Sequence, residues 1–361
     1  MSKKEFKPSN GSRSAKKTII VVCSVLLGVT LCVLGAAALY INHMLDKVDY
    51  ENTPGQEDGQ SVVEIKDDQN LWNDDVLNVL LLGTDERSDE YSENARSDCM
   101  MILSLNRKTH KMRLTSLERG IGVPIEGQED DWLTHTFAYG GAVLTLKTVQ
   151  ECFDLDVDRY VRVNFNSFEQ IIDTIGGVDI ELTALEAQGL NGEIYTNAIT
   201  KHTVYEGWNH LDGYDALQYA RQRFIDSDWQ RIERQRNVVS AAFDKVKTLS
   251  VFEWNNLLDT ALPLVKTNFT KSEITSLLMD APGFTNSEIE QMTIPAEGTY
   301  GSKKTSDGRS LLDLDWETNS NPEKIYLFII LCVGKIESEP TFCFWFSDLL
   351  RIMAKPGYLS G

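Results

Sequence analysis

Residues 76–85 read Val-Leu-Asn-Val-Leu-Leu-Leu-Gly-Thr-Asp, and this run decides the fold. Six of its first seven side chains are apolar, and a short apolar run stopped by a glycine reads as a strand buried on both faces. Downstream, residues 100–106 and 112–117 read as strands around the Arg107–His110 turn, a hairpin. Gly140-Gly141 opens a helical pattern that runs through Phe153, and residues 160–165 are strand-like. A helix over 168–175 is closed by Gly176-Gly177, after which 178–182 is again a strand. Helices follow at 213–220, 228–249, 252–265 and 271–279. Strands mixed with helices predict an α/β fold, a mixed central β-sheet with helices on both faces in three α-β-α layers.

The run ends in Asp85, and a second carboxylate, Asp98, closes Ala95-Arg96-Ser97-Asp98 just before the next strand. Carboxylates at the ends of neighbouring strands converge on one rim of a sheet, where α/β proteins place ligands. Two such groups with phosphate oxygens and waters are the usual set for Mg2+. Arg87 and Arg96 stand beside them and Arg119 follows the third strand. A cation with arginines neutralises charge on phosphoryl groups. A denser cluster lies in Ala-Leu-Gln-Tyr-Ala-Arg-Gln-Arg-Phe-Ile-Asp-Ser-Asp-Trp-Gln-Arg-Ile-Glu-Arg-Gln-Arg (216–236), with Arg221, Arg223, Arg231, Arg234 and Arg236 in a protein of net charge −19. Arginine presents a planar fork that grips phosphate two oxygens at a time. Asp228, Arg231 and Gln235 are spaced to share one helix face, with Arg234 close by.

Thr18 to Ile41 is a stretch of twenty-four residues without a charge, long enough to span a bilayer as one helix. Six basic residues against Glu5 precede it, which places residues 1–17 in the cytoplasm and the acidic remainder outside, behind an uncleaved signal anchor at 18–41. Residues 42–74 are polar, carry Pro54, Gly55 and Gly59, and read as a stalk; the globular domain is expected over 75–320. Cys99 and Cys152 are the two cysteines of that domain and read as thiols rather than a bridge, and no Cys/His spacing suggests zinc. The 321–361 segment has an apolar run at 325–333 too short to span a membrane, and no role follows from it. An acidic domain outside the membrane excludes nucleic acid as a partner.

The ordered set Leu-Leu-Gly-Thr-Asp-Glu-Arg (81–87), Arg-Ser-Asp (96–98), Ser-Leu-Glu-Arg (116–119), Ala-Tyr-Gly-Gly (138–141), Gly-Gly-Val-Asp (176–179) and Tyr-Ala-Arg-Gln-Arg to Gln235 resembles the LytR-CpsA-Psr family. The resemblance implies an extracytoplasmic phosphotransferase that moves a glycopolymer such as teichoic acid or capsule from a polyprenyl-pyrophosphate carrier to peptidoglycan. It implies that Asp85 and Asp98 hold Mg2+. Arg87, Arg96, Arg119, Arg221, Arg223, Arg231 and Gln235 would hold the pyrophosphate, oriented by Asp228. Asp98, Arg119, Arg221 and Arg223 would serve the chemical step, and helices around 140–175 and 213–265 would line an apolar tunnel for the prenyl chain. Many family members carry an aspartate after the arginine matching Arg119, favoured as the general base; here Gly120 stands there. Either Glu118, Asp85 or metal-bound water then takes the proton, or the enzyme is weakened. A polyprenyl-pyrophosphate phosphatase and a non-catalytic lipid-binding regulator are the alternative readings.

Overall fold

The computed structural model describes residues 39–51, 76–86, 95–125 and 129–319. Its strands in chain order are β1 (Asp49–Tyr50), β2 (Val76–Thr84), β3 (Ser97–Asn106), β4 (Lys111–Leu117), β5 (Gly122–Val123), β6 (Asp131–Trp132) and β7 (Arg159–Asn164). Then come β8 (Val178–Leu182), β9 (Gly207–Leu211), β10 (Lys266–Thr267), β11 (Ile289–Ile294), β12 (Tyr300–Lys304) and β13 (Ser310–Leu314). After a helical turn at 39–45, the helices are α1 (His135–Phe153), α2 (Phe165–Thr174), α3 (Ala184–Leu190) and α4 (Gly213–Arg221). They continue with α5 (Asp228–Lys247), α6 (Val251–Ala261), α7 (Lys271–Asp280) and α8 (Trp316–Asn319).

Seven strands form the central sheet in the order β1-β10-β7-β2-β3-β4-β11. It is mixed: β2 runs parallel to β7 and antiparallel to β3, and β4 runs antiparallel to β3 and parallel to β11. The alternation of β2 assigns its two faces. Leu80 and Leu82 join Met100 and Ile102 under Phe137, Leu146 and Val149 of α1. Leu77 and Val79 face the other way, with Phe269 and with Ile274 and Leu277 of α7. A further core packs α2, α4, α5 and α6 through Ile172, Ala216, Tyr219, Val238 and Leu257. Each such leucine or valine contributes about 1.5–3 kcal/mol on leaving water, so the sheet is held from both sides.

Several expectations are corrected. The strand at Val178–Leu182 pairs only with β9, as a separate two-stranded ribbon rather than in the central sheet. Its outward Asp179 and Glu181 are exposed, so a position inside the sheet would bury two charges. The helix expected over 252–265 stops at Ala261, because Pro263 lies in the following Leu262–Leu264 turn and cannot continue the ladder. α1 starts before Gly140-Gly141, at His135, and those glycines form a kink within it, Gly141 at φ 63°. β11 and the β12–β13 hairpin extend the fold beyond the expected elements.

Residues 42–51, expected in the stalk, pack on the domain instead. Residues 49–51 join the sheet edge beside β10, and Met44, Leu45 and Val48 are buried. Residues 52–74 lie outside the described residues, as do 321–361. The predicted membrane span also lies outside them apart from its last three residues, where Leu39 is 74 % exposed. No helix among the described residues is long and apolar enough to cross a membrane. Cys99 and Cys152 are unpaired and partly accessible.

Candidate functional site

The ends of β2 and β3 build the rim where the two carboxylates were expected. The ladder there is broken: Gly83 pairs with Cys99 but Thr84 pairs with Ser97, which leaves Asp98 as the extra residue of a β-bulge. A bulge of this kind re-aims a side chain, and neighbours that would otherwise alternate, Asp98 and Cys99, both line one cavity. Gly83 permits the close approach, since a Cβ there would lie 2.9 Å from the Cys99 Cβ. Asp85 is held by its neighbours, its Oδ1 accepting from the Arg96 backbone N–H at 2.7 Å and its own N–H donating to the Arg96 carbonyl at 3.1 Å.

The cavity occupies about 460 Å³ between the sheet and the layer of α2, α4 and α5. Leu81, Met101, Val161 and Val163 form its sheet wall, and Phe168, Leu217, Val238 and Val239 its helical wall. Its polar end carries Asp85, Asp98, Arg221, Arg223, Arg231 and Gln235. The polarity runs along α5, from Arg231 through Gln235 to Val238 and Val239. α1 was expected to line this space and does not; it packs on the opposite face of the sheet. α6 lies behind α2 and does not reach the cavity.

Asp228 organises the charges. It opens α5, whose N-cap Ser227 accepts from the Trp229 N–H. Its Oδ2 receives Arg119 Nε at 2.9 Å and lies 3.5 Å from Arg231 Nη2, and its Oδ1 is 3.7 Å from Arg223 Nε. Arg119 reaches on to Asp98, Nη1 to Oδ1 at 3.0 Å. Burial opposes ionisation of Asp228, yet Arg231 and Arg119 outweigh it and hold the carboxyl below its usual range. Arg119 is raised despite burial because two aspartates flank it. Arg231 goes the other way: burial first, and then the Arg119 charge, lower it against the pull of Asp228 and Asp98.

The Arg231 side chain is 4 % exposed, and among the described residues its only carboxylate contact is the long one to Asp228 and its Nε has no partner. A buried guanidinium that lines a cavity and has only a long carboxylate contact among the described residues would be stabilised by a ligand with several anionic oxygens.

The five clustered arginines divide. Arg221, stacked 4.5 Å over the Phe165 ring, lines the cavity with Arg223 and Arg231. Arg234 is fully buried and points elsewhere, to Asp226 at 2.6 and 2.8 Å, Glu186 at 3.3 Å and the Gln222 carbonyl at 2.9 Å. Arg236 donates to Gln291 and Thr293 of β11. The Arg96 side chain is exposed and does not line the cavity, because its place at the rim serves Asp85 through the backbone. Arg87 lies outside the described residues. The structure adds Asn197, whose Nδ2 donates to the Arg221 carbonyl at 3.0 Å and whose Oδ1 accepts the Arg223 N–H at 2.8 Å. No spacing in the sequence marks it.

The space beside Gly120 is taken by a neighbour. A Cβ at 120 would lie 3.0 Å from Glu118 Oε2, and the Gly120 N–H donates to that same carboxylate. Burial raises Glu118 above the usual carboxylate range, with Arg119 and Arg231 pulling back. A carboxylate is therefore present next to residue 120, carried two residues earlier in the chain.

Asp85 and Asp98 suit a hard divalent cation. Each has one oxygen engaged, by the Arg96 N–H and by Arg119, while the other has no partner among the described residues. Two such oxygens beside an anion site match what Mg2+ takes from protein.

An α/β protein whose cavity is apolar at one end and arginine-lined at the other is built for an amphiphile with a phosphate head group. The LytR_cpsA_psr family model matches residues 38–321, and the chain belongs to that family. Among similar proteins, a polyisoprenyl-teichoic acid–peptidoglycan teichoic acid transferase, TagT, of Bacillus subtilis is 35 % identical over 61 % of this chain and 68 % of its own. A TagU transferase of the same description from Oceanobacillus iheyensis is 32 % identical over 76 % and 84 %. The structure described as TagT bound to LIIa-WTA aligns with TM-score 0.59 at 31 % identity, over 75 % of this chain and 96 % of that one. A TagT structure with bound octaprenyl pyrophosphate lipid aligns with TM-score 0.53 at 29 % identity, over 73 % and 92 %.

Proposed function

We propose that this chain is a phosphotransferase that moves a glycopolymer from a polyprenyl-pyrophosphate carrier to peptidoglycan, as its TagT and TagU relatives are named for doing with teichoic acid. The observation that carries the reading is Arg231, a buried and under-satisfied guanidinium at the mouth of an apolar cavity. The prenyl chain lies against Leu217, Val238 and Val239, and the pyrophosphate lies among Arg221, Arg223 and Arg231. Asp228 keeps those guanidiniums from spreading under mutual repulsion.

In the reaction, an acceptor hydroxyl on peptidoglycan attacks the phosphorus that bears the glycan. A new phosphodiester bond forms, the bond between the two phosphates breaks, and polyprenyl phosphate departs with the electron pair. The hydroxyl proton passes to a base, and Gly120 leaves this to Glu118, the carboxylate beside it. The arginines stabilise negative charge that grows on the bridging oxygen. A Mg2+ ion held by Asp85 and Asp98 would supply further charge neutralisation at the phosphates.

The layout we infer is a single-pass anchor at 18–41 with residues 1–17 cytoplasmic and the catalytic domain outside. This brings the site to the membrane that holds its lipid. The function is tested by transfer of a labelled lipid-linked glycan to peptidoglycan. Asp98→Asn should lose transfer in magnesium while retaining most of the lipid affinity. Equal rates with and without chelator, or a fully active Asp98→Asn protein, would remove the metal role.

A further inference from the structure

An exposed aromatic pair stands beside the charged end of the cavity. Tyr195 is 78 % exposed and Phe224 58 % exposed, and their rings meet at 5.4 Å with planes tilted 44°. Two large rings held together in water cost hydrophobic free energy that folding alone does not recover. Phe224 also sits at φ 73°, a left-handed backbone that a bulky side chain adopts at a cost of about 1–3 kcal/mol. Such strain persists where the surrounding structure enforces it.

The enforcement is visible. Asn197 accepts from the Arg223 N–H and donates to the Arg221 carbonyl, which ties the 195–197 loop to the 221–224 segment. Arg223, which lines the cavity, also lies with its guanidinium 5.5 Å from the Phe224 ring centre. The backbone bonds of Asn197 therefore set the two rings beside the arginines that line the cavity. Resting on the reading of the site given above, we propose that Tyr195 and Phe224 form a saccharide subsite for the first sugars of the lipid-linked glycan.

Position and chemistry agree on that occupant. The apolar part of the cavity runs away from Arg231 along α5, so the lipid occupies that direction and the glycan leaves the pyrophosphate at the polar end, past Arg223. The C–H faces of a pyranose carry slight positive charge and lie flat on electron-rich ring faces, while its hydroxyls need hydrogen-bond partners at the edge. Glu193, two residues before Tyr195, is exposed, and a carboxylate suits hydroxyls where it would repel an anionic lipid surface.

Binding of two lipids to full-length protein in detergent micelles tests this: polyprenyl pyrophosphate alone, and the same lipid bearing a disaccharide. Tyr195→Ala and Phe224→Gly should each weaken the disaccharide lipid roughly tenfold, the scale of one stacked ring, and leave the bare lipid unchanged. Tyr195→Phe should retain full affinity, and Phe224→Gly relieves the backbone strain, so misfolding would not produce this pattern. Equal loss for both lipids would assign the rings to lipid or fold and overturn the subsite, as would no loss for either. Wild-type protein that ignores both lipids would overturn the pyrophosphate site itself, and the subsite with it.

Discussion

Replacing Asp228 by asparagine removes one negative charge from the centre of the arginine cluster with almost no change in shape. Arg119 keeps its bond to Asp98 at 3.0 Å, so its loss is partial. Arg231 keeps nothing comparable: its side chain is 4 % exposed and Asp228, at 3.5 Å, is its only carboxylate partner among the described residues. A buried charge stripped of its partner costs about 3–5 kcal/mol. The half-open setting of Asp228 itself and the length of that contact reduce this to roughly 2–4 kcal/mol. For a domain of this size that lowers Tm by about 5–15 °C. A phosphate ligand restores the missing negative charge, so farnesyl pyrophosphate should raise the Tm of Asp228→Asn more than that of the wild type. Thermal denaturation followed by circular dichroism, with and without the ligand, reads both effects. An unchanged Tm, or a smaller ligand-induced rise in the variant, would refute the assignment of Arg231 as the under-satisfied cation. The pH dependence has a definite sign. Asp228 is held below its usual range in the fold, so its contribution is present above the ordinary aspartate pKa and is lost as pH falls through the lower, folded value.

Three further outcomes are expected. Val238→Trp fills the apolar end of the cavity and should weaken a long-chain polyprenyl pyrophosphate at least roughly tenfold in calorimetry while sparing inorganic pyrophosphate; equal loss for both would place the lipid elsewhere. Glu118 is raised by burial and acts as a base only when ionised, so kcat/KM should fall as pH drops through a value above the ordinary carboxylate range. Glu118→Gln should lower the rate by about 10²–10⁴ and abolish that limb, and an intact limb in the variant would assign the proton to another group. Arg231→Lys should lose most of the pyrophosphate affinity, because an ammonium lacks the fork that reaches two oxygens; full retention in a fluorescence competition assay would argue that Arg231 acts only as a point charge.

The centre of the sheet and the cluster that lines the cavity were legible because their signals are local. A run such as 76–82 has few alternatives to a buried strand, and three arginines within eleven residues, 221 to 231, stand out in an acidic chain. The misses came from partners far away in the chain. β11 carries Glu290 and Gln291 in its middle and does not look like a strand until Arg113 of β4 is placed 3.1 Å from Glu290. The resemblance set Arg231 apart from Arg234, but composition gives no reason for it; the reason is Glu186, 48 positions earlier, which with Asp226 holds Arg234 in the interior. The strand at 178–182 was recognised correctly as a strand, but its pairing depends on β9, which lies past a helix and a long loop. Asp98 lines the cavity, and its place before a strand marks it in the sequence. That a register break aims it was invisible, because a bulge is a property of two strands together.

That register break separates two kinds of change open to the protein over evolutionary time. In a regular ladder, shifting one residue turns every later side chain to the opposite face. Here the irregularity falls at the end of the ladder, after the pairs from Val76 with Asn106 to Gly83 with Cys99. An insertion, deletion or exchange at 96–98 can therefore reshape the chemistry at the rim while Met100 and Ile102 keep their places in the core. The scaffold can drift toward a new head group or acceptor without first becoming unstable.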